Sequence, residues 1–312
     1  FRTKGWEATV NWRDQIGGVK YNLGFSLADY KSKVLQFTDM TNVPFPGNLG
    51  RGDRIENWNG NAKNYYLVGK SLSPVYVFQT DGIFQTQEEV DAYYEMYYWN
   101  ADHTAPKAGN IIPAPADSGT GRLRPGARKV VDLDGDGVIT KDDIYYAGDR
   151  DPHLTFTIKA GLEWKGIDVS AFFQGVGNQV VLRQGQIPYL WRTNYVMQNK
   201  TYMGKTWTPE NTGAEYTIAS RDQNFNAWNY QYKDVSLQKN RYIRLKSLVV
   251  GYTLPKQWTA KAGLKKVRLY FSGDDLWEWT KVKDGYDPEF GEETNNSFPF
   301  SRLLSFGVDV TF

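Results

Sequence analysis

The last ten residues, Leu303 to Phe312, read LLSFGVDVTF and constrain the chain more than any other stretch. Leu304, Phe306, Val308, Val310 and Phe312 alternate with Ser305, Gly307, Asp309 and Thr311, so an extended segment here has one apolar and one polar face. Two kinds of protein use such a strand. In a soluble β-protein the apolar face lies on a core. In a bacterial outer-membrane β-barrel it faces lipid, and a strand ending on phenylalanine suits that setting too.

Composition narrows the choice. No run of about 18 uncharged apolar residues exists, which excludes helical membrane spans, while 21 Tyr and 11 Trp suit a barrel with aromatic girdles and a polar interior. Thirty-seven basic residues against 35 acidic ones give a net charge of +2, so no polyanion-binding field and no nucleic-acid partner are implied. Cysteine is absent, which removes disulfides and thiol chemistry. The chain starts at Phe1 with no initiator Met and no signal-like segment, the pattern of a mature product or a fragment.

Taken in order, Trp6, Ala8, Val10 and Trp12 alternate with polar residues up to a turn at Asp14 to Gly18, and Val19, Tyr21, Leu23, Phe25 and Leu27 complete a hairpin. An insertion of about 120 residues follows, from about 31 to 153, too long to be structureless. Within it Thr86 and Glu89 form a capping box ahead of Val90, Tyr93, Tyr94 and Tyr97, which predicts a short helix. Leu154 to Trp164 and Ile167 to Gln174 form the clearest hairpin, turning at Lys165-Gly166, with Phe172 breaking the alternation. A second insertion covers about 176 to 241 and shows little periodicity. Tyr242 to Leu254 is strand-like with a shift of its apolar set that predicts a bulge. After a linker at 256 to 265, the run from Val267 towards Trp279 is another strand, and a third insertion at about 281 to 302 leads to the last one.

With the C-terminus on the periplasmic side, the linkers 14 to 18, 165 to 166 and 255 to 265 all fall on that side and all three insertions fall outside. Short periplasmic turns alternating with long external loops are the arrangement of an outer-membrane barrel, and a soluble sandwich has no reason to sort its loops this way. The expected fold is therefore all-β, a partial antiparallel transmembrane β-barrel with long extracellular loops. Seven strands do not close such a barrel, since bacterial barrels have an even number of at least eight and an open edge in lipid leaves backbone groups unpaired. The expectation is that the N-terminal part of the barrel lies outside this chain.

Several stretches together resemble one family. They are Lys4-Gly5-Trp6-Glu7, Thr80-Asp81-Gly82-Ile83-Phe84, the acidic loop Asp132 to Asp143, Phe173-Gln174-Gly175, Trp207 to Asn211, Tyr242 to Lys246, Gly251 to Pro255, Gly285 to Glu289 and the terminal Phe312. Their order resembles the C-terminal portion of SusC/RagA-type TonB-dependent outer-membrane transporters, with Asp274-Asp275-Leu276 departing from the family's usual Asn-Leu pair. The resemblance implies a barrel of 22 strands and a bacterial outer-membrane location. It also implies a plug and TonB box that this chain lacks, a SusD-like surface lipoprotein partner, and import of oligosaccharides or, in some members, peptides. No enzymatic activity is implied.

One loop carries chemistry of its own. Asp132, Asp134, Asp136, Gly137, Ile139, Thr140 and Asp143 match the twelve-residue calcium loop, in which alternate carboxylates converge on one ion after a sharp turn at the glycine. The expected Ca2+ ligands are Asp132, Asp134, Asp136, the carbonyl of Val138, Thr140 and Asp143, in a structural role. The alternative is a solvated acidic turn. Loop aromatics such as Tyr189, Trp191, Tyr195, Tyr202 and Trp207 serve equally to pack long loops or to stack on sugars. Arg51-Gly52-Asp53 and Gly204-Lys205-Thr206 are chance-level tripeptides. His103 and His153 are too few for a metal or triad, no G-x-S-x-G or H-E-x-x-H occurs, and Asp274, Asp275 and Glu278 form a glycosidase pair only if a cleft holds them at the required separation. The rival readings are a soluble, secreted, calcium-stabilised carbohydrate-binding β-sandwich and a calcium-dependent glycoside hydrolase.

Overall fold

The computed structural model describes residues 1–35, 69, 71–115, 121–183, 202–289 and 301–312. Arg51-Gly52-Asp53 and the aromatics Tyr189, Trp191 and Tyr195 lie outside the described residues. Elements run in the order β1 (Arg2–Ile16), β2 (Val19–Lys33), β3 (Pro74–Phe78), β4 (Thr80–Ile83), α1 (Gln87–Tyr97), β5 (Arg128–Val130), β6 (Ile144–Asp149), β7 (His153–Trp164), β8 (Ile167–Asn178), β9 (Val180–Leu182), α2 (Gln223–Tyr230), β10 (Leu237–Lys239), β11 (Tyr242–Thr253), α3 (Lys256–Thr259), β12 (Lys266–Thr280) and β13 (Leu303–Thr311).

Seven long strands make one sheet in the order β1-β2-β7-β8-β11-β12-β13, each antiparallel to its neighbours. The sheet is open, with β1 and β13 at its edges. Strand alternation explains its two faces. Val10, Phe25, Ile158, Phe173 and, past the bulge, Val250, Phe271 and Phe306 share one face, and the polar partners Asn11, Gly24, Lys159 and Ser272 share the other. The apolar face is bare: Val10 is 65% and Phe306 83% exposed. Its tryptophans gather at the strand ends, with Trp6, Trp277 and Trp279 at one end and Trp12 and Trp164 at the other, all exposed. Six residues of strand between Trp6 and Trp12 span about 20 Å, close to the height of an outer-membrane apolar band flanked by aromatic girdles. No helix among the described residues is long and apolar enough to cross a membrane.

Turns and long connections segregate as the sequence predicts. Ile16 pairs with Val19 across Gly17-Gly18, and Trp164 pairs with Ile167 across Lys165-Gly166. Both residues of the second turn have positive φ, 44° and 88°, as a tight hairpin turn requires. The first turn is tighter than the expected Asp14 to Gly18, because Asp14 and Gln15 continue the ladder opposite Tyr21 and Lys20. Backbone pairing carries a strand past the end of its apolar pattern. The linker at 256 to 265 holds the one-turn helix α3. The predicted bulge falls between Leu245 and Ser247, where the register of β11 shifts against both β8 and β12. Phe172 sits on the polar face beside Lys159, whose ammonium lies 5.8 Å from its ring.

The described residues of the first two long connections build a separate body at the opposite end of the sheet from the turns. Its core joins Tyr76 and Phe78 of β3, Phe84, Val90 and Tyr93 of the α1 region, Leu123, Ile139, and Phe225 and Trp228 of α2. Helix α1 starts as predicted: the Thr86 hydroxyl accepts from the Glu89 N–H, and the Glu89 carboxylate accepts from the Gln85 N–H. Helix α2 was not anticipated. Its Asp222 cap accepts from Asn224 and Phe225, and its buried Asn226 and Asn229 amides donate to the Ser220 and Phe225 carbonyls.

Candidate functional site

The acidic loop folds back on itself through its own carboxylates. Asp132 accepts from the N–H groups of Gly135 and Gly137 at 2.8 and 2.9 Å, Asp134 from Asp136 at 3.2 Å, and Asp136 from Val138 at 2.8 Å. Gly137 has φ +82°, which an L side chain rarely adopts. These contacts bring one carboxylate oxygen from each of Asp132, Asp134 and Asp136 within 4.8 Å of one another. Such a group of hard oxygen donors has the chemistry of a calcium site.

Asp143 does not join that group. It is fully buried, and its two oxygens accept from Leu133 at 2.7 Å and Thr140 at 2.7 Å, with a longer contact to Asp134. Burial pushes its carboxyl above the usual carboxylate range, against the pull of those backbone donors. The Thr140 hydroxyl accepts from Asp142. The loop is tied into the outer body by Ile139, which is buried and accepts at its carbonyl from Ile111, and by Lys107, whose ammonium donates to the carbonyls of Gly137 and Met96.

A second concentration of charge, not anticipated from the sequence, lies where β11 and β12 reach the outer rim. Arg244 is fully buried and meets Glu278 on the facing strand, Asp287 at 2.5 Å and Glu289 at 3.2 Å. Lys246, raised by the bulge, reaches Asp275 at 2.7 Å and Glu289 at 2.9 Å. Two cations thus face four carboxylates. With the Asn240 amide donating to the Pro288 carbonyl and Arg183 bidentate to Asp284, the cluster fastens segment 284–289 to the wall. The carboxylates Asp275 and Glu278 are occupied by cations, so they are not laid out as a glycosidase pair.

On the polar face near the short turns, Arg268 donates to both oxygens of Asp168 at 2.9 and 2.6 Å, and to Asp309 at 3.2 Å. The bond to Asp168 crosses over β11 at Gly251, where a Cβ would lie 2.5 Å from the guanidinium. His153, set aside from the sequence, bridges Asp29 at 2.7 Å and Asp149 at 3.5 Å, and Ser71 donates to Asp149. This chain joins β2 of the wall to β6 of the outer body.

An open run of antiparallel strands with a bare apolar face, tryptophans at both ends and its long loops on one side is part of the wall of a membrane β-barrel. Comparison with known proteins agrees. No protein-family model matches the chain. It is 27% identical over 99% of its length to TonB-dependent receptor P3 of Formosa agariphila and 25% identical over 99% to TonB-dependent receptor P26 of the same organism. The chain spans only 28% and 29% of those relatives' lengths. Solved structures of the RagAB peptide importer in its open-open and closed-closed states share the fold, with TM-scores of 0.61 and 0.64 at 16% identity. There too the chain covers 99% of itself and 28% and 29% of the other. The motif-based resemblance to TonB-dependent transporters of the SusC/RagA type therefore holds along the whole chain, and the fold is that of a partial antiparallel barrel.

Proposed function

We propose that this chain is a wall segment, with its external loops, of a bacterial outer-membrane importer energised through the TonB system. The solute is an oligosaccharide, delivered with a SusD-like surface lipoprotein. The observation that carries the reading is the sorting of connections on an open sheet whose apolar face is bare. Such a sheet in lipid requires further strands to satisfy its edges, and likeness to 28% of a TonB-dependent receptor supplies the context. In this reading the polar strand faces line the lumen, the outer body meets solute and lid, and a plug carried elsewhere in the protein gates the passage. The chain itself performs no bond chemistry. The RagAB structures are of a peptide importer, which keeps a peptide solute as the second reading. Uptake by cells with and without the gene, supplied with labelled oligosaccharides or labelled peptides, separates the two. Gene-dependent uptake of neither solute, or uptake that persists when TonB is removed, would sink the importer reading.

For the acidic loop, Asp132, Asp134 and Asp136 hold one Ca2+, with oxygens of Val138 and Thr140, while Asp143, expected from the sequence as a further ligand, braces the loop from within through its backbone donors. The converged carboxylates support this, and the ion's role is to stiffen the outer body.

A further inference from the structure

Between the outer body and the wall lies a cleft of about 800 Å3, within the size range of small-ligand sites. Five of its lining side chains are cationic, Arg128, Arg183, Lys239, Lys281 and Lys283, and three are acidic, Glu215, Asp234 and Asp284. The difference of two positive charges is unchanged when the one ion pair within the lining is set aside. Arg183 and Asp284 neutralise each other through a bidentate pair, and Asp234 accepts from both the N–H and the hydroxyl of Thr80. Lys239, Lys281 and Lys283 are exposed along one side of the cleft.

Deeper in, Arg128 is 6% exposed. One of its terminal nitrogens donates to the Glu215 carbonyl at 3.2 Å. Its Nε has no hydrogen-bond partner among the described residues, and a buried guanidinium N–H calls for an acceptor. Tyr202 and Tyr216, packed edge to face with centroids 4.8 Å apart, add aromatic surface to the same lining.

We propose that this cleft is a solute subsite for carboxylate-bearing oligosaccharides. Sugar carboxylates meet Arg128 and the lysines, and the C–H face of a ring packs on the tyrosine pair. A neutral sugar would leave the cationic surplus without counter-charge. An acidic peptide shares the carboxylates but lacks the flat C–H face that tyrosine rings accept. The inference rests on the importer reading and sharpens it to a charge class.

The test uses the full-length outer-membrane protein in detergent, titrated calorimetrically with an oligogalacturonate, a neutral gluco-oligosaccharide of equal length and an oligoglutamate. The oligogalacturonate is expected to bind with an affinity that falls as salt rises. That affinity should drop about tenfold or more in the double variant Lys281→Gln/Lys283→Gln, whose exposed positions leave folding unaffected. Neutral sugar binding equally well, an affinity unmoved by the double variant, or no oligogalacturonate binding would each overturn the proposal. Lysine-dependent binding of oligoglutamate alone would overturn it in favour of a peptide site. The importer reading fails separately: it falls if binding is intact and lysine-dependent while uptake does not depend on the protein.

Discussion

At the scale of single residues, the acidic loop separates two roles that its sequence merges. Asp134 lies on the surface with its carboxylate towards Asp132 and Asp136, whereas Asp143 is buried among backbone donors. Replacing Asp134 with Asn is therefore expected to abolish the rise in melting temperature that calcium gives the wild type over chelator, while leaving the chelated protein unchanged. Asp143→Ala is expected to destabilise the outer body with or without calcium by about 3 kcal/mol, because it strands buried N–H groups. Thermal unfolding in detergent with calcium or chelator reads both. Equal calcium responses in Asp134→Asn and wild type would remove the metal site.

Lys233 offers a pH signature. Burial pushes its ammonium down to about 7, against the opposing pull of Asp234, and the charge it retains sits 4.5 Å from the Phe78 ring and 5.1 Å from that of Trp228. A lysine with a depressed folded pKa binds fewer protons folded than unfolded between that value and its ordinary 10.5. Stability of the outer body should accordingly rise with pH across this window and level off above it. Lys233→Met should flatten that slope, as measured by melting temperature at a series of pH values. An identical slope in the variant would show that another group sets it.

At the scale of elements, the strands were legible because their side chains report the pleat directly: Phe25 opposite Val10 and Phe306 opposite Phe271 are alternating positions in sequence as well as in space. The bulge at Lys246 was legible for the same reason, as a slip in that alternation. Helix α2 was not, since its buried side includes Asn226 and Asn229, whose partners are supplied by the fold rather than by helical apolar spacing. Nor was the Arg244 cluster, whose acidic members lie 31 to 45 residues away in sequence and meet it only through strand register and the return of segment 284–289.

That cluster gives the element-scale prediction. Arg244→Met removes one of two cations facing four carboxylates and leaves buried negative charge uncompensated, a loss of about 3–5 kcal/mol at such sites. The expected readout is faster tryptic cleavage at Lys281 and Lys283 as segment 284–289 comes away from the wall. Arg244→Lys should rescue little, because one ammonium cannot reproduce a guanidinium reaching Glu278, Asp287 and Glu289 at once. Cleavage rates equal to wild type would show that the latch is held by Asn240 and Arg183 instead.

At the scale of the whole molecule, the edges of the sheet decide whether seven strands are a wall segment or an independent object. In an antiparallel strand successive N–H groups point to opposite sides, so β1 directs alternate amides to β2 and the intervening ones outward, and β13 does the same against β12. In a closed barrel within the complete protein both sets are bonded. Hydrogen exchange of the full-length protein in detergent should therefore show consecutive amides from Trp6 to Trp12, and from Phe306 to Val310, protected as strongly as those of central strand β8. An alternating pattern, with every second amide exchanging as fast as a loop, would mean that these edges stay open and that no barrel closes around them. Since an unpaired N–H or C=O in hydrocarbon costs several kcal/mol, that second outcome would also take the sheet out of the membrane and return the bare apolar face to a soluble partner. The same experiment thus tests closure and membrane residence together, without reference to any solute.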